Sequence, residues 1–171
     1  IAAGLSIQDP RERPQDKRQQ ADEKHAEYAD KDSDFISLLN VWNGFREQQN
    51  ALSQNQLRKW CKQQFINYLR MREWQDIVSQ LKKSIAELGF GIVKQEADYQ
   101  SIHQAIASGL LSHLGFKDKD REYLGSRNTR FMIFPGSGLA KSQPKWVMAA
   151  ELVETSKLFA RMVAKIDPTW I

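Results

Sequence analysis

Basic side chains interleaved with aromatic rings are the most chemically suggestive pattern in this sequence: Arg58, Lys59, Trp60 and Lys62, then Asn67, Tyr68, Arg70, Arg72 and Trp74. Cations of this kind bind phosphate oxygens, and aromatic faces stack on bases without reading their identity. The same spacing also suits Trp60 and Trp74 as core anchors of helices whose charged faces meet water, so residue types alone leave both readings open. Charge points the same way as the interleaving. Residues 1–50 carry 7 Lys+Arg against 10 Asp+Glu, and the rest of the chain carries 18 against 11, so the basic surplus lies after position 50. Such a surplus is compatible with a nucleic-acid partner and is also common among ordinary soluble domains.

Other chemistry fails on residue type or spacing. Gly136-Ser137-Gly138-Leu139-Ala140-Lys141-Ser142 invites comparison with a phosphate-binding loop, whose glycines let backbone N–H groups approach phosphates ahead of a helix. Ala140 stands where a glycine must precede the lysine, Pro135 takes the earlier glycine position, and Pro144 would interrupt the helix. A plain turn is the better reading. His25, His103 and His113 are too widely spaced to pair on one helical turn around a metal, and each reads as a surface or packing histidine. Asp30, Asp32 and Asp34 lack the glycine and the later glutamate of a calcium loop; they read as loop solvation and helix capping. Cys61 is the one thiol, which excludes an internal disulfide and a thiolate zinc site. No nucleophile with a neighbouring base is visible, so no catalytic residues are assigned.

The elements that would position the basic and aromatic residues are helices. Gln8 to Asp34 is poor in large apolar residues and reads as surface or linker, with an exposed helix between Arg11 and Tyr28 packed by Ala21, His25 and Tyr28. Asp32 and Ser33 offer N-cap oxygens to a helix carrying Phe35, Leu38, Leu39, Trp42 and Phe45. Ser53-Gln54-Asn55-Gln56 is a capping box for the next helix, with Leu52 and Leu57 as its hydrophobic staple. Trp74, Ile77, Val78, Leu81, Ile85 and Leu88 keep helical period and predict a third buried face, ended by Gly89 or Gly91. Asp98 caps a fourth helix with Ile102, Ile106 and Leu110 on its stripe and Gly115 as its stop. Beyond Gly115, Arg130 to Phe134 carries strand signals ended by Pro135-Gly136. Trp146 to Ile166 favours helix by propensity. Nothing reaches the roughly 18 apolar residues of a membrane span, and the start shows no signal-peptide pattern. The expectation is a cytoplasmic chain. Its opening Ile-Ala-Ala-Gly-Leu-Ser-Ile reads as the end of a helix whose natural start lies upstream.

Several phrases, in order, resemble the C-terminal region of DEAH-box RNA helicases of the bacterial HrpA type: Leu5 to Pro14, Ala21 to Ala26, Asp32-Ser33-Asp34-Phe35, Phe65 to Arg70 with Arg72-Glu73-Trp74, Phe134-Pro135-Gly136-Ser137, and Pro144 to Val147 with Ile166 to Trp170. The resemblance covers nearly the whole chain. It implies an α+β fold: residues 1–9 end a winged-helix region, 10–115 form a helical bundle, the ratchet-like helicase-associated domain, and 116–171 form a small five-stranded OB-fold β-barrel. Against propensity, it also implies strands near Trp146 to Thr155 and Lys157 to Ile166, since tertiary pairing overrides preferences of tenths of a kcal/mol per residue.

The same resemblance implies an accessory role. The family's motor consists of two RecA-like domains that bind ATP and Mg; their motifs are absent here, so this part is expected to hold no cofactor and to hydrolyse nothing by itself. It would form one wall of a single-stranded RNA channel, with the RecA-like and winged-helix domains of the same chain as further partners. Candidate RNA-binding residues are Asn67, Arg70 and Arg72, which match a family phrase, with Arg127, Arg130, Lys141 and Lys145 flanking the third strand in loops an OB-fold uses for contacts. The competing expectation is a docking module for protein partners or for the motor domains, because OB-folds and helical bundles also serve that role.

Overall fold

Local capping chemistry sets where the helices begin. In the computed structural model, which describes residues 1–171, Ser53 and Gln56 form the expected capping box at the start of α4 (Gln54–Gln63), and Asp98 accepts the Ser101 N–H at the start of α6 (Tyr99–Ser108). Asn67 caps α5 (Tyr68–Glu87) by accepting the Arg70 N–H. The remaining helices are α1 (Ala2–Leu5), α2 (Arg18–Ala26) and α3 (Asp34–Ala51). Residues Gln8 to Asp34 are more than surface: Ala21, Ser33 and Asp34 are buried.

The chain packs as two compact units, residues 1–29 with 37–94, and residues 30–36 with 95–171. Helix gives way to strand at Leu114, next to the sequence-expected division at 115/116, whereas packing divides the chain at Lys94 and gathers α6 and the first turn of α3 with the strands. In the first unit, Leu38, Val41, Phe45, Leu57, Cys61, Met71 and Trp74 are buried. Trp74 lies 5.0 Å from Trp42 between ring centroids, and a Cβ on Gly4 would come within 2.5 Å of the Trp74 ring, so only glycine fits there. The buried face predicted for α5 stops after Trp74. Leu81, Ile85 and Leu88 are exposed, as are Phe90, Ile92 and Val93 beyond the helix. Helical period identifies an apolar stripe; it does not supply an element to cover it.

The second unit holds β1 (Leu114–Lys119), β2 (Glu122–Gly125), β3 (Arg130–Ile133), β4 (Trp146–Glu154) and β5 (Leu158–Lys165), closed into a barrel in the order β1-β2-β3-β5-β4. The last two strands form where the resemblance implied and propensity did not. Only β3 and β5 pair in parallel. Tyr123, Phe131, Ile133, Leu139, Val147, Ala149, Ala160 and Val163 fill the core. Gly115 belongs to this core and does not stop α6, which ends at Ser108 with Gly109 as C-cap. A Cβ at Gly115 would meet the Phe131 ring at 2.3 Å, so the barrel needs glycine there for space.

One carboxylate ties distant parts of this unit together. Asp34 accepts hydrogen bonds from the Ser137 hydroxyl, the Gly138 N–H at 3.0 Å and the Val163 N–H at 2.9 Å. Asp34 therefore does not solvate a loop, as its place in an acidic run suggested. It is buried and orders backbone more than a hundred residues away along the chain. The Val163 N–H turned toward it follows Met162, whose φ of +54° is left-handed in the middle of a strand.

Candidate nucleic-acid interface

The basic and aromatic residues of the first unit meet where α4 ends and α5 begins. Phe65, at φ +54°, reverses the chain between the two helices, and residues 10–12 stitch that turn: Glu12 N–H donates to Phe65 O at 2.8 Å and Asn67 N–H to Pro10 O at 2.7 Å. His25 Nε2 donates to Phe65 O at 3.0 Å, which places its proton on Nε2; burial lowers this imidazole's pKa from its ordinary value. The turn is thus held from three sides. A cleft of about 240 Å³ opens beside it, lined by Glu12, Arg58, Lys62, Asn67, Tyr68 and Leu69 among others.

Tyr68 lines that cleft. The Arg58 guanidinium lies over its ring at 4.8 Å, and Gln54 Nε2 donates to its hydroxyl at 3.3 Å. The Gln54 hydrogen bond is the main cause that lowers the phenol pKa below its ordinary value; a hydrogen bond from Arg58 and the positive charges of Arg72 and Arg58 act in the same direction, with burial opposing. Arg58, Lys62 and Arg72 are exposed and enter no ion pair. A planar ring ringed by unpaired cations can receive a base and its phosphates. Arg58 and Lys62 were legible in the sequence as part of the interleaved run, although only the structure sets them around Tyr68.

The other expected residues of this unit have work elsewhere. Asn67 spends its carbonyl oxygen on the helix cap and its amide on Glu12 Oε1 at 2.8 Å. Arg70 donates to Asp9 O at 3.0 Å. Trp74 is buried, so its ring is a core anchor. Of the phrase Asn67, Arg70 and Arg72, Arg72 alone is left with an uncommitted side chain facing solvent. Cys61 is buried too, with its thiol pushed up to about 11 by desolvation.

In the second unit, Arg127 stands exposed at the tip of the turn from β2 to β3. It and Asn128 have φ of +54° and +59°, closed by the Thr129 N–H to Ser126 O bond at 3.0 Å, a type I′ arrangement in which arginine is an unfavourable occupant. Arg130 is paired twice, with Asp118 at 2.7 Å and Glu122 at 2.8 Å. Lys141 is exposed in the turn region before β4, and Lys145 places its ammonium 5.6 Å from the Phe116 ring centroid. Phe116 in turn lies 5.0 Å from Trp146, its cross-strand partner. The sequence reading missed three residues that come together near the end of β3: Phe134, Phe159 and Arg161, with the guanidinium 4.7 Å from the Phe134 ring centroid. Their signal is strand alternation in β3 and β5, readable only once the two strands are known to be neighbours.

A serine and a histidine also meet in this unit. Ser33 Oγ lies 2.7 Å from His103 Nε2, and His103 Nδ1 lies 2.6 Å from Tyr99 O, so Nδ1 carries the proton and Nε2 accepts from the serine. Both residues are fully buried, and Ser33 Oγ also accepts the Ile36 N–H at 3.2 Å. With no access for a substrate, the pair fastens α6 to the start of α3. It is a structural contact.

Residues 102–171 match a family model described as the oligonucleotide/oligosaccharide-binding (OB)-fold. Over its full length the chain is 57% identical to the ATP-dependent RNA helicase HrpA of Escherichia coli and 58% identical to the ATP-dependent RNA helicase HrpA homolog of Haemophilus influenzae. It spans 13% of the length of each of these relatives. The resemblance to HrpA-type helicases read from short phrases therefore holds along the whole chain.

Proposed function

We propose that this chain, a HrpA-like segment ending in an OB-fold barrel, is the accessory RNA-binding region of an ATP-dependent DEAH-box RNA helicase and forms one wall of its single-stranded RNA channel. In this reading ATP and Mg belong to motor domains elsewhere in the longer protein, which supply force, and the present segment supplies grip in the cytoplasm. Residues 10–115 correspond to the helicase-associated ratchet-like bundle and residues 1–9 to the end of the winged-helix region. The observation that carries the proposal is the set of cations outside any ion pair, Arg58 over the Tyr68 ring, Lys62 lining the same cleft and Arg72 near enough for its charge to act on the Tyr68 phenol. The barrel's Arg127, Lys141 and Lys145 add exposed positive charge at loops where OB-folds make contacts.

Binding of labelled single-stranded RNA to the chain across a salt series tests this. Affinity is expected to fall steeply with salt, and Arg58→Ala with Arg72→Ala is expected to flatten the log–log slope by about one unit for each phosphate no longer held. Salt-independent binding, or no binding at low salt, would overturn it. One observation favours a second reading, a docking module for other domains or partners: the exposed apolar run Leu81, Ile85, Leu88, Phe90, Ile92 and Val93. Self-association of the chain that is abolished by Leu88→Asp and Phe90→Asp, with no RNA binding, would support docking in place of RNA grip.

A further inference from the structure

On the barrel surface the strand alternation puts Phe131 and Ile133 inside, hence Met132 and Phe134 outside; in β5 Ala160 is inside, hence Phe159 and Arg161 outside. Because β3 and β5 are neighbours in parallel register, with Met132 opposite Phe159 and the Phe134 N–H bonded to Ala160 O, these outward side chains form one continuous patch. Phe159 meets Phe134 edge to face at 6.3 Å. Arg161 lies over the Phe134 ring at 4.7 Å. Gly136 makes room for that ring, since a Cβ there would come within 2.7 Å of it.

One carboxylate ties the backbone that adjoins the patch. Asp34 grips Ser137 and Gly138, just after Phe134, and Val163, just after Arg161 and the left-handed Met162. A strained backbone residue that a buried carboxylate keeps in place, beside an exposed ring and cation, is the pattern of a pre-organised contact surface. Arg161 enters no ion pair, although Glu151 is its cross-strand partner. The neighbouring outer face of β2 and β3 is different: there Arg130 is held between Asp118 and Glu122, leaving two carboxylates for one cation, a poor place for phosphate.

We propose that Phe134, Phe159 and Arg161 form a stacking platform for a base of single-stranded RNA, the base lying on the guanidinium or ring face and its phosphate near Arg161. This rests on the RNA-binding reading above and assigns a base contact to the second unit. Flat rings and a planar cation accept any base, so the platform grips without sequence preference.

Fluorescence anisotropy of the chain with a short labelled oligouridylate, and with an abasic ribose-phosphate oligomer of the same length, tests it. Phe134→Ala and Arg161→Ala are each expected to weaken oligouridylate binding about tenfold, the range set by loss of one stacked base. Phe134→Trp should retain affinity, and Phe134→Ala should leave the abasic oligomer's binding unchanged. As a check that needs no variant, oligonucleotides carrying 5-iodouridine should photocrosslink to peptides containing Phe134 or Phe159. Salt-sensitive RNA binding that neither variant alters, with crosslinks confined to other peptides, would overturn the platform and leave the accessory RNA-binding function standing. No RNA binding by the unmodified chain would overturn both.

Discussion

The two units hold their ring and cation by different means. In the first, Tyr68 and Arg58 are positioned by several separate devices: the Ser53 to Gln56 capping box sets α4 and the Asn67 cap sets α5, each acting over three residues, while Pro10, Glu12 and His25 add single bonds to the turn between the helices. In the second, Phe134 and Arg161 are positioned by Asp34, whose partners are 103 to 129 residues away in the chain. Separate devices act independently, so losing one costs its own share. A single buried carboxylate with three donors couples two strands and a turn, so its loss is felt by all of them at once.

The largest test of that contrast is Asp34→Ala. It leaves the Val163 and Gly138 N–H groups and the Ser137 hydroxyl without their acceptor and is expected to destabilise the second unit by about 3 kcal/mol, read by chemical denaturation. A loss under about 1 kcal/mol would mean the barrel does not depend on the long-range tie. Gly115→Ala comes next. Its methyl would press on the Phe131 ring, and about 2 kcal/mol of overpacking strain is expected in the same assay. Ser53→Ala removes only a cap; about 1 kcal/mol should be lost from the first unit, with the barrel's transition unmoved. Equal shifts in both units would erase the proposed distinction.

The smallest expected effect is on pH dependence. Burial, which outweighs the opposing influences of Tyr99 O and Asp30, holds His103 below its ordinary pKa of 6.5. The unfolded chain therefore takes up the proton first: stability is full above about pH 6.5 and declines as pH falls through the folded pKa. His25 in the first unit is lowered in the same direction by burial, so each unit has its own slope. Unfolding midpoints measured from pH 7 to pH 5 should show a shallow decline that flattens in steps with His103→Gln and His25→Gln. A midpoint that rises on acidification would contradict the buried neutral state of both rings.

Much of the first unit was legible from residues alone, because caps and helical period are local. Ser53 announces a helix start here, as Asp98 does in the second unit, through side chains that bond N–H groups three positions on; the Asn67 cap of α5 was not read from the sequence. The same logic overreached on α5, where the apolar period continues through Leu81 and Leu88 onto an exposed surface. For the candidate sites, basic residues were visible but their commitments were not. Nothing local says that Arg70 reaches Asp9 O, that Arg130 is shared by Asp118 and Glu122, or that Trp74 is a core residue.

By itself the sequence determined the helix starts, the basic surplus after position 50 and, through ordered phrases, the likeness to HrpA-type helicases. The Ala- and Leu-containing stretches after Trp146 are strands, as the resemblance implied and residue propensity did not, and the tertiary structure supplies the reason: closing the barrel gives partners to backbone groups that helix propensity opposes by tenths of a kcal/mol per residue. Only the tertiary structure decided that two phrases a hundred residues apart, Asp32 to Phe35 and Phe134 to Ser137, meet through one carboxylate. Period and capping are properties of neighbours in sequence; a buried ion's donors and a cross-strand ring pair are properties of neighbours in space.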